Sequence, residues 1–342
     1  MKRRKSFIIS ILVLLLLAAV VAGISVGTVN IPFPDVMRLL LARIPGLHSL
    51  DDGIPPYYRT IVMRLRLPVV AMALFVGAGL SSSGAAMQGL FKNPLVDPFI
   101  IGISAGGAFG WVIGLLIGNH IDMLSGYLVR ITLSFLFAMG TVTAAYMLSK
   151  TGNRIPLTNL LLAGVALSAS LTAATQLAIY IFVENPTPLI FSLLGSCSNS
   201  KWSEVAMVGP VVILGTVMLS LLGRELNAFS TGEEGARHLG VEVERAKVLI
   251  LGLGTLVAAI TIPFCGMIGF VGLMIPHMVR RMIGADHRSL IPGSALFGAS
   301  FLVICDLFSR NVLDITIPLG IVTGLIGGAF FIYLLRARRF SS

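Results

Sequence analysis

The chain predicts an all-α membrane protein: one polytopic domain over residues 1–342, with ten transmembrane helices, both termini cytoplasmic and a bundle packed along stripes of glycine. Three observations predict it. Hydrophobic residues make up 56% of the chain and charged ones 12%, where an ordinary soluble domain carries about 25% charged, and mean hydropathy is +0.94. The apolar residues come in successive runs of about 20, the length that crosses a hydrocarbon core roughly 30 Å thick. The net charge of +10 falls on one side once the runs are threaded as alternating crossings.

The amino terminus opens on Lys2, Arg3, Arg4 and Lys5 and continues into about 23 mostly apolar residues. A signal peptide has a shorter core of about 7 to 15 residues, so this segment reads as a retained first helix. Further apolar runs lie near 65–91, 98–118, 126–149, 156–182, 204–223, 290–308 and 315–335. The stretch 246–283 is long enough for two short crossings, with "PFCG" at 263–266 breaking it near the middle. Charge settles that count. Arg245 and Lys247 precede the stretch and Arg280 and Arg281 end it, and two basic ends on one face require an even number of crossings. The basic pI therefore reports topology and gives no sign of nucleic-acid binding.

Glycines at 102, 106, 110, 114 and 118 recur every four residues, a helical stripe that lets a neighbouring helix approach backbone to backbone. Within it, "GISAG" at 102–106 fits the pattern of a serine-hydrolase elbow, but that elbow needs a strand-to-helix turn and Ser104 falls in a helix. Gly320, Gly324 and Gly328 predict a second stripe on the last run. At 275–289 the chain reads "IPHMVRRMIGADHRS", which raises the question of a metal site. His277 and His287 have no third ligand near and stand among arginines that repel a cation. The segment reads instead as a helix exit, with Arg280 and Arg281 at the headgroups and Asp286 to Arg288 in a short loop. Cys197, Cys265 and Cys305 are too few and too apolar in setting for a disulfide framework or metal cluster and read as packing residues. No metal and no cofactor is expected.

Many crossings joined by short loops leave no extramembrane site for chemistry, so transport is the first function to weigh. Ion-driven carriers place an ionisable residue inside the bilayer. Here Asp306 and Asp314 fall near an external helix end, Glu184 falls in an external loop, and the midplanes hold Gln88, Gln176, serines and threonines. The chain has no Gly-Lys pair and hence no phosphate-binding loop of its own, so energy comes from elsewhere. The longest internal loop, "GRELNAFSTGEEGARHLGVEVERAK" at 223–247, mixes acids and bases. Its pattern fits either a solvated amphipathic turn or a docking surface for a partner.

Five ordered blocks narrow the choice: "SGAAMQGLFKNPLVDPFIIGISAGGAFG" at 83–110, "ARHLGVEVERAK" at 236–247, "GMIGFVGLMIPHMVRR" at 266–281, "ADHRSLIPGSALFGASFLVICDLFSR" at 285–310 and "IPLGIVTGLIGG" at 317–328. Together they resemble the permease family of ATP-binding-cassette (ABC) importers for iron siderophores, haem and cobalamin. The resemblance implies a homodimer of ten-helix subunits in the cytoplasmic membrane, with a path at the dimer interface, two ATPase subunits below and a substrate-binding protein above. It implies ATPase coupling by Glu234, Ala236, Leu239 and Gly240, with His277 and Arg280 near the same face. It also implies a cytoplasmic gate formed by Asn93 and Leu95 with Leu157 and Thr158. Sequence chemistry agrees with that gate: "NP" ends a helix, the Asn side chain is available to freed carbonyls, and Leu95 supplies an apolar constriction.

The chain departs from the family at three places. The external "RLPR", whose arginines meet acids of the binding protein, reads "RLPV" at 66–69, so Arg66 is kept and Val69 replaces the second arginine. Arg310 keeps another docking arginine, and Arg59 or Arg64 could stand in for the missing one. Thr316 stands where Glu is usual, and Ala329 where Pro is usual. Two other readings are an ATP-independent carrier or channel and a membrane hydrolase using Ser104. The sequence does not name the substrate: siderophore, haem, cobalamin and an oxyanion all fit small apolar cavity walls.

Overall fold

The computed structural model describes residues 2–339 apart from 28, 30, 45–49, 51, 119–120, 153 and 313–314; Asp314 therefore lies outside the described residues. Among those described, every regular element is helical. Seven helical stretches are long and apolar enough to cross a membrane. In chain order the elements begin with α1 (Lys2–Ser25), α2 (Phe33–Leu41) and α3 (Pro56–Thr60), which runs through a π-helical turn (Ile61–Arg66) into α4 (Leu67–Leu90). A 3-10 turn (Pro98–Ile101) leads to α5 (Ile103–Gly118), α6 (Met123–Ser149), α7 (Leu157–Phe182), α8 (Thr187–Leu193) and α9 (Trp202–Leu221). Two short helices, α10 (Gly223–Phe229) and α11 (Glu233–His238), precede α12 (Val243–Ala259) and α13 (Ile262–Cys265). The chain ends with α14 (Val271–Ile283), α15 (His287–Asn311) and α16 (Leu319–Arg339).

Helix α4 is the hub, buried along most of its length, because its small residues let neighbours close on its backbone. Gly77 lies against the Gly298 carbonyl of α15 and Gly84 against Gly272 of α14, with no room for a Cβ at either. Hydroxyls tie the same helix laterally: Ser83 donates to the Gly254 carbonyl of α12 at 2.7 Å, and Ser82 meets Thr216 of α9 at 2.9 Å. Helices α5 and α6 pack equally closely. A Cβ at Gly106 would stand 2.5 Å from the Phe137 carbonyl, and one at Gly114 would stand 2.6 Å from the Arg130 Cα.

Two details differ from the glycine pattern. Gly102 is not on α5: its φ of +98° makes it the left-handed residue that ends the 3-10 turn, so Ser104 lies in the first turn of the helix. On α16, Gly320 meets the carbonyls of Leu194 and Met267 and Gly327 receives the Phe270 ring, whereas Gly324 and Gly328 face open space. The packed face of α16 thus follows a seven-residue step. The break in the 246–283 stretch falls at Gly266, φ +66°, and its backbone is knitted to the segment after α8, Ser196 donating to the Cys265 carbonyl at 2.8 Å.

Contacts between helix ends define two faces of the bundle. The basal face gathers Lys5 of α1, the end of α4, α10, α11, the start of α12, and the α14–α15 turn, where Lys5 bonds Ser289 at 3.2 Å. The apical face holds the end of α1 against Arg66 and the Tyr127–Glu204 hydrogen bond between the first turns of α6 and α9.

Candidate functional site

The basal face carries a groove of about 670 Å³ between α10, the turn after α11 and α12, with Leu222, Arg224, Glu225, Leu239, Gly240 and Glu242 on its walls. Helix α11 ends in a Schellman motif, in which Val241 donates to the Ala236 carbonyl at 3.0 Å and Gly240 to Arg237 at 2.9 Å. Gly240 occupies the left-handed position at φ +82°, and this turn leaves Leu239 67% exposed at the rim. Glu234 is exposed on α11, while Ala236 is fully buried and fixes the helix from beneath.

Behind α11 lies a charged knot that sequence reasoning missed. Lys247, read from the sequence as a basic end of the 246–283 stretch, is 2% exposed and turned into the protein. Its ammonium meets Glu233 of α11 at 2.9 Å, Glu244 at 3.2 Å and the Ile155 carbonyl at 3.0 Å: three donors, three acceptors. The other Glu244 oxygen accepts the Ile155 N–H at 3.1 Å, and Arg237 approaches Glu244 at 3.8 Å. The available signal was a Glu and a Lys three apart at the start of a helix.

A second cluster corrects the loop expected at 286–288. Asp286 is the N-cap of α15, accepting from the Arg288 N–H at 3.2 Å, and it receives Asn227 of α10 at 2.8 Å. Its carboxyl sits well below the ordinary carboxylate range, chiefly because the Arg288 side chain hydrogen-bonds it, with Asn227 adding to the effect. His287 is buried rather than looped, with its Nδ1 2.9 Å from Asn227 Oδ1 and its ring against Gly89 at the end of α4.

The segment after α4 begins with Lys92 at φ +51° and a turn in which Asn93 Oδ1 accepts the Leu95 N–H at 2.9 Å. The Asn side chain therefore accepts a bond from a freed N–H, where the expectation was a bond to a carbonyl. That turn leaves Leu95 49% exposed. Leu157 is half-buried against the core and Thr158 is exposed, both in the first turn of α7. Asp97, whose carboxylate caps the following 3-10 turn through Phe99 N–H at 2.8 Å, is pushed up to about 6 by burial. Arg280 reaches the Gln88 oxygen at 3.1 Å while Gln88 donates to the Leu273 carbonyl at 3.1 Å, so Gln88 works at a helix end and not at a midplane. The His277 ring stands edge-on to Phe330 of α16, 6.0 Å between centroids.

On the apical face Arg66 is 6% exposed. It donates to the carbonyls of Ile24 and Ser25, each at 2.8 Å, and to that of Val29, which makes it a clamp on the end of α1. Arg310 pairs with Asp306 at 2.6 Å and stays partly exposed, while Arg59 and Arg64 are exposed. Val69 is buried in α4; Thr316 and Ala329 are exposed.

A further cavity of about 450 Å³ runs between the 3-10 turn, α5 and α7, and Ser104, Ser168, Thr172 and Gln176 line it. Helix α7 is poorly covered, with 11% of an apolar 18-residue stretch buried against 61% for that of α15. Its open side carries Thr158, Leu162, Val165, Ala169, Thr172 and Gln176, one helical face that mixes polar and apolar groups.

A bundle of apolar helices with a basal groove and a polar-lined, uncovered helix is the frame of a membrane transport permease. The chain belongs to the FecCD transport family, whose profile matches residues 14–337. It is 41% identical to the ABC transporter permease YvrB of Bacillus subtilis, over 94% of this chain and 90% of that one. It is 39% identical to the cobalamin import permease BtuC of Halobacterium salinarum, over 84% and 77%. It is also 39% identical to the hemin transport permease HmuU of Yersinia pestis, over 82% and 84%. A solved transporter assigned to the metal-chelate ABC type, in an inward-facing conformation, superposes with a TM-score of 0.83 at 31% identity, over 97% of this chain and 99% of that one. The protein is thus a membrane permease of the ABC-importer kind, a family that works with ATPase and substrate-binding partners.

Proposed function

We propose that this chain is the permease subunit of an importer that moves a siderophore, haem or cobalamin-type chelate inward across the cytoplasmic membrane by alternating access. In this reading the molecule is a homodimer of ten-helix subunits with both termini cytoplasmic. The tenfold count adds α5, α14 and α16 to the seven longer spans. Two ATPase subunits dock on the basal face and hydrolyse ATP on its behalf, and a binding protein docks on the apical face. The observation that carries the reading is the basal groove, with Leu239 standing apolar and exposed at its rim among Arg224, Glu225 and Glu242. An apolar anchor surrounded by charge is the form a protein-docking surface takes.

Leu239→Glu tests it. An Arg at Gly240 would also strain a left-handed residue, whereas position 239 has ordinary backbone geometry and changes only the surface. The variant should insert normally and lose both ATPase co-purification and uptake of radiolabelled cobalamin, hemin and ferric citrate, offered as a panel. Full ATPase binding by Leu239→Glu would move the docking surface elsewhere.

The gate follows from the same reading: Asn93 shapes the turn that presents Leu95, and Leu157 and Thr158, in the first turn of α7, form its other side. At the apical face Arg310, and the exposed Arg59 and Arg64, meet the binding protein, while Arg66 acts indirectly by holding the end of α1.

A further inference from the structure

Four charged side chains and one backbone residue form a closed knot between the groove and the first turn of α7. Glu233 and Arg237 come from α11, Glu244 and Lys247 from α12, and Ile155 stands two residues before Leu157. Both backbone groups of Ile155 are taken, its N–H by Glu244 at 3.1 Å and its carbonyl by Lys247 at 3.0 Å. The next residue, Pro156, precedes α7 and lacks an N–H, so the entry of that helix is held from one side by this pair. Lys247 is the centre, since its buried ammonium reaches α11, its own helix and the α7 entry with all three donors, whereas Glu244 meets α11 only at 3.8 Å. At 2% exposure it cannot touch a docked protein itself.

We propose that this knot transmits movement of α11 to the start of α7, with Lys247 as the positioning residue that couples ATPase engagement to the gate. The proposal rests on the reading of the groove as the ATPase dock. The buried Lys247 ammonium would be left unpaired if its acceptors withdrew, so α11 cannot shift without drawing Ile155 or breaking that contact. A two-state arrangement of such contacts is the physical form of a coupling between distant sites.

The test uses the full chain co-expressed with its ATPase and reconstituted in vesicles. Thr158→Cys serves as reporter and as the parent for the other variants, with a membrane-impermeant maleimide as probe; the three native cysteines are buried. In this parent, MgATP should change the labelling rate at position 158. With Lys247→Met the ATPase should still co-purify and hydrolyse ATP, and the ATP-dependent change should shrink by about tenfold or more, within the usual range of coupling between sites. The conservative Lys247→Arg, which keeps the charge and donors for Glu233, Glu244 and the Ile155 carbonyl, should recover part of the response. Should Lys247→Met fail to insert, Glu233→Gln, which removes only one arm, decides by a smaller loss in the same direction. An ATP response equal to the parent's in the folded variant overturns the proposal, as does loss of ATPase binding in Lys247→Met alone. Failure of the parent to hold its ATPase instead overturns the reading of the groove.

Discussion

Arg66 shows what a single side chain holds in place. The last carbonyls of a helix have no partner within it, and a cation there also meets the negative end of the helix dipole. Arg66 supplies both, with a planar fork reaching the carbonyls of Ile24, Ser25 and Val29. Arg66→Lys should not restore this, because an ammonium cannot span the carbonyls as the fork does. Arg66→Met should cost about 3 kcal/mol, on the basis of about 1–3 kcal/mol for each buried group left unpaired, and should open the end of α1 to protease. Protease resistance equal to the parent's would refute the clamp. A second residue-scale prediction concerns Asp97, raised from 3.8 to about 6 by burial. Between those values the folded state binds more protons than the unfolded one, so stability declines as pH rises and stays level above about 6. Asp97→Asn keeps the acceptor for Phe99 and removes the charge. The thermal midpoint of the variant minus that of the parent should therefore grow between pH 4 and pH 7.

At the scale of elements, close approach is the principle and glycine its instrument. Gly84→Val would place branched carbons inside the Gly272 backbone, so α14 must separate from α4. Overpacking of this kind costs about 1–3 kcal/mol, or more where backbone must move, and the yield of folded protein from membranes should fall accordingly. The proposed gate makes a separate prediction: Leu95→Ala combined with Leu157→Ala should raise ATP-independent leak of a small solute from vesicles, and unchanged leak would place the constriction elsewhere. The long spans were legible because one strong signal, continuous hydropathy, specifies them. The break at Gly266 was legible because Pro263 and Gly266 mark it. The short helices α2, α3, α8, α10 and α11, each of nine residues or fewer, have no room for a periodic pattern to show. Site chemistry was legible only in part for a related reason. Lys247 and Arg66 look like ordinary flanking charges, and only tertiary contacts show that one centres a knot and the other clamps a helix.

On the scale of the whole molecule, the uneven burial of the helices points to what is missing around them. An apolar stretch of α15 is 61% buried, whereas α7 leaves most of its surface uncovered. Lipid can cover apolar side chains such as Leu162 and Val165, but it offers no partner to Thr172 or Gln176 on the same face, and an amide exposed to hydrocarbon is costly. Water in a path, or a second subunit across it, resolves that conflict, and the neighbouring cavity with Ser104 and Ser168 extends the same polar lining. Ala169 sits midway along this face. Ala169→Trp would fill the path with an indole while leaving the basal groove untouched. Uptake should fall to background in vesicles, and ATP hydrolysis should continue. Leu136→Trp, on an exposed apolar position of α6, is the control and should transport as the parent does. Size-exclusion behaviour in detergent separates a blocked path from disruption of the proposed homodimer, since only the latter would shift the elution of the complex. Normal uptake by Ala169→Trp would leave the open face of α7 to lipid, and the path would have to run along another helix.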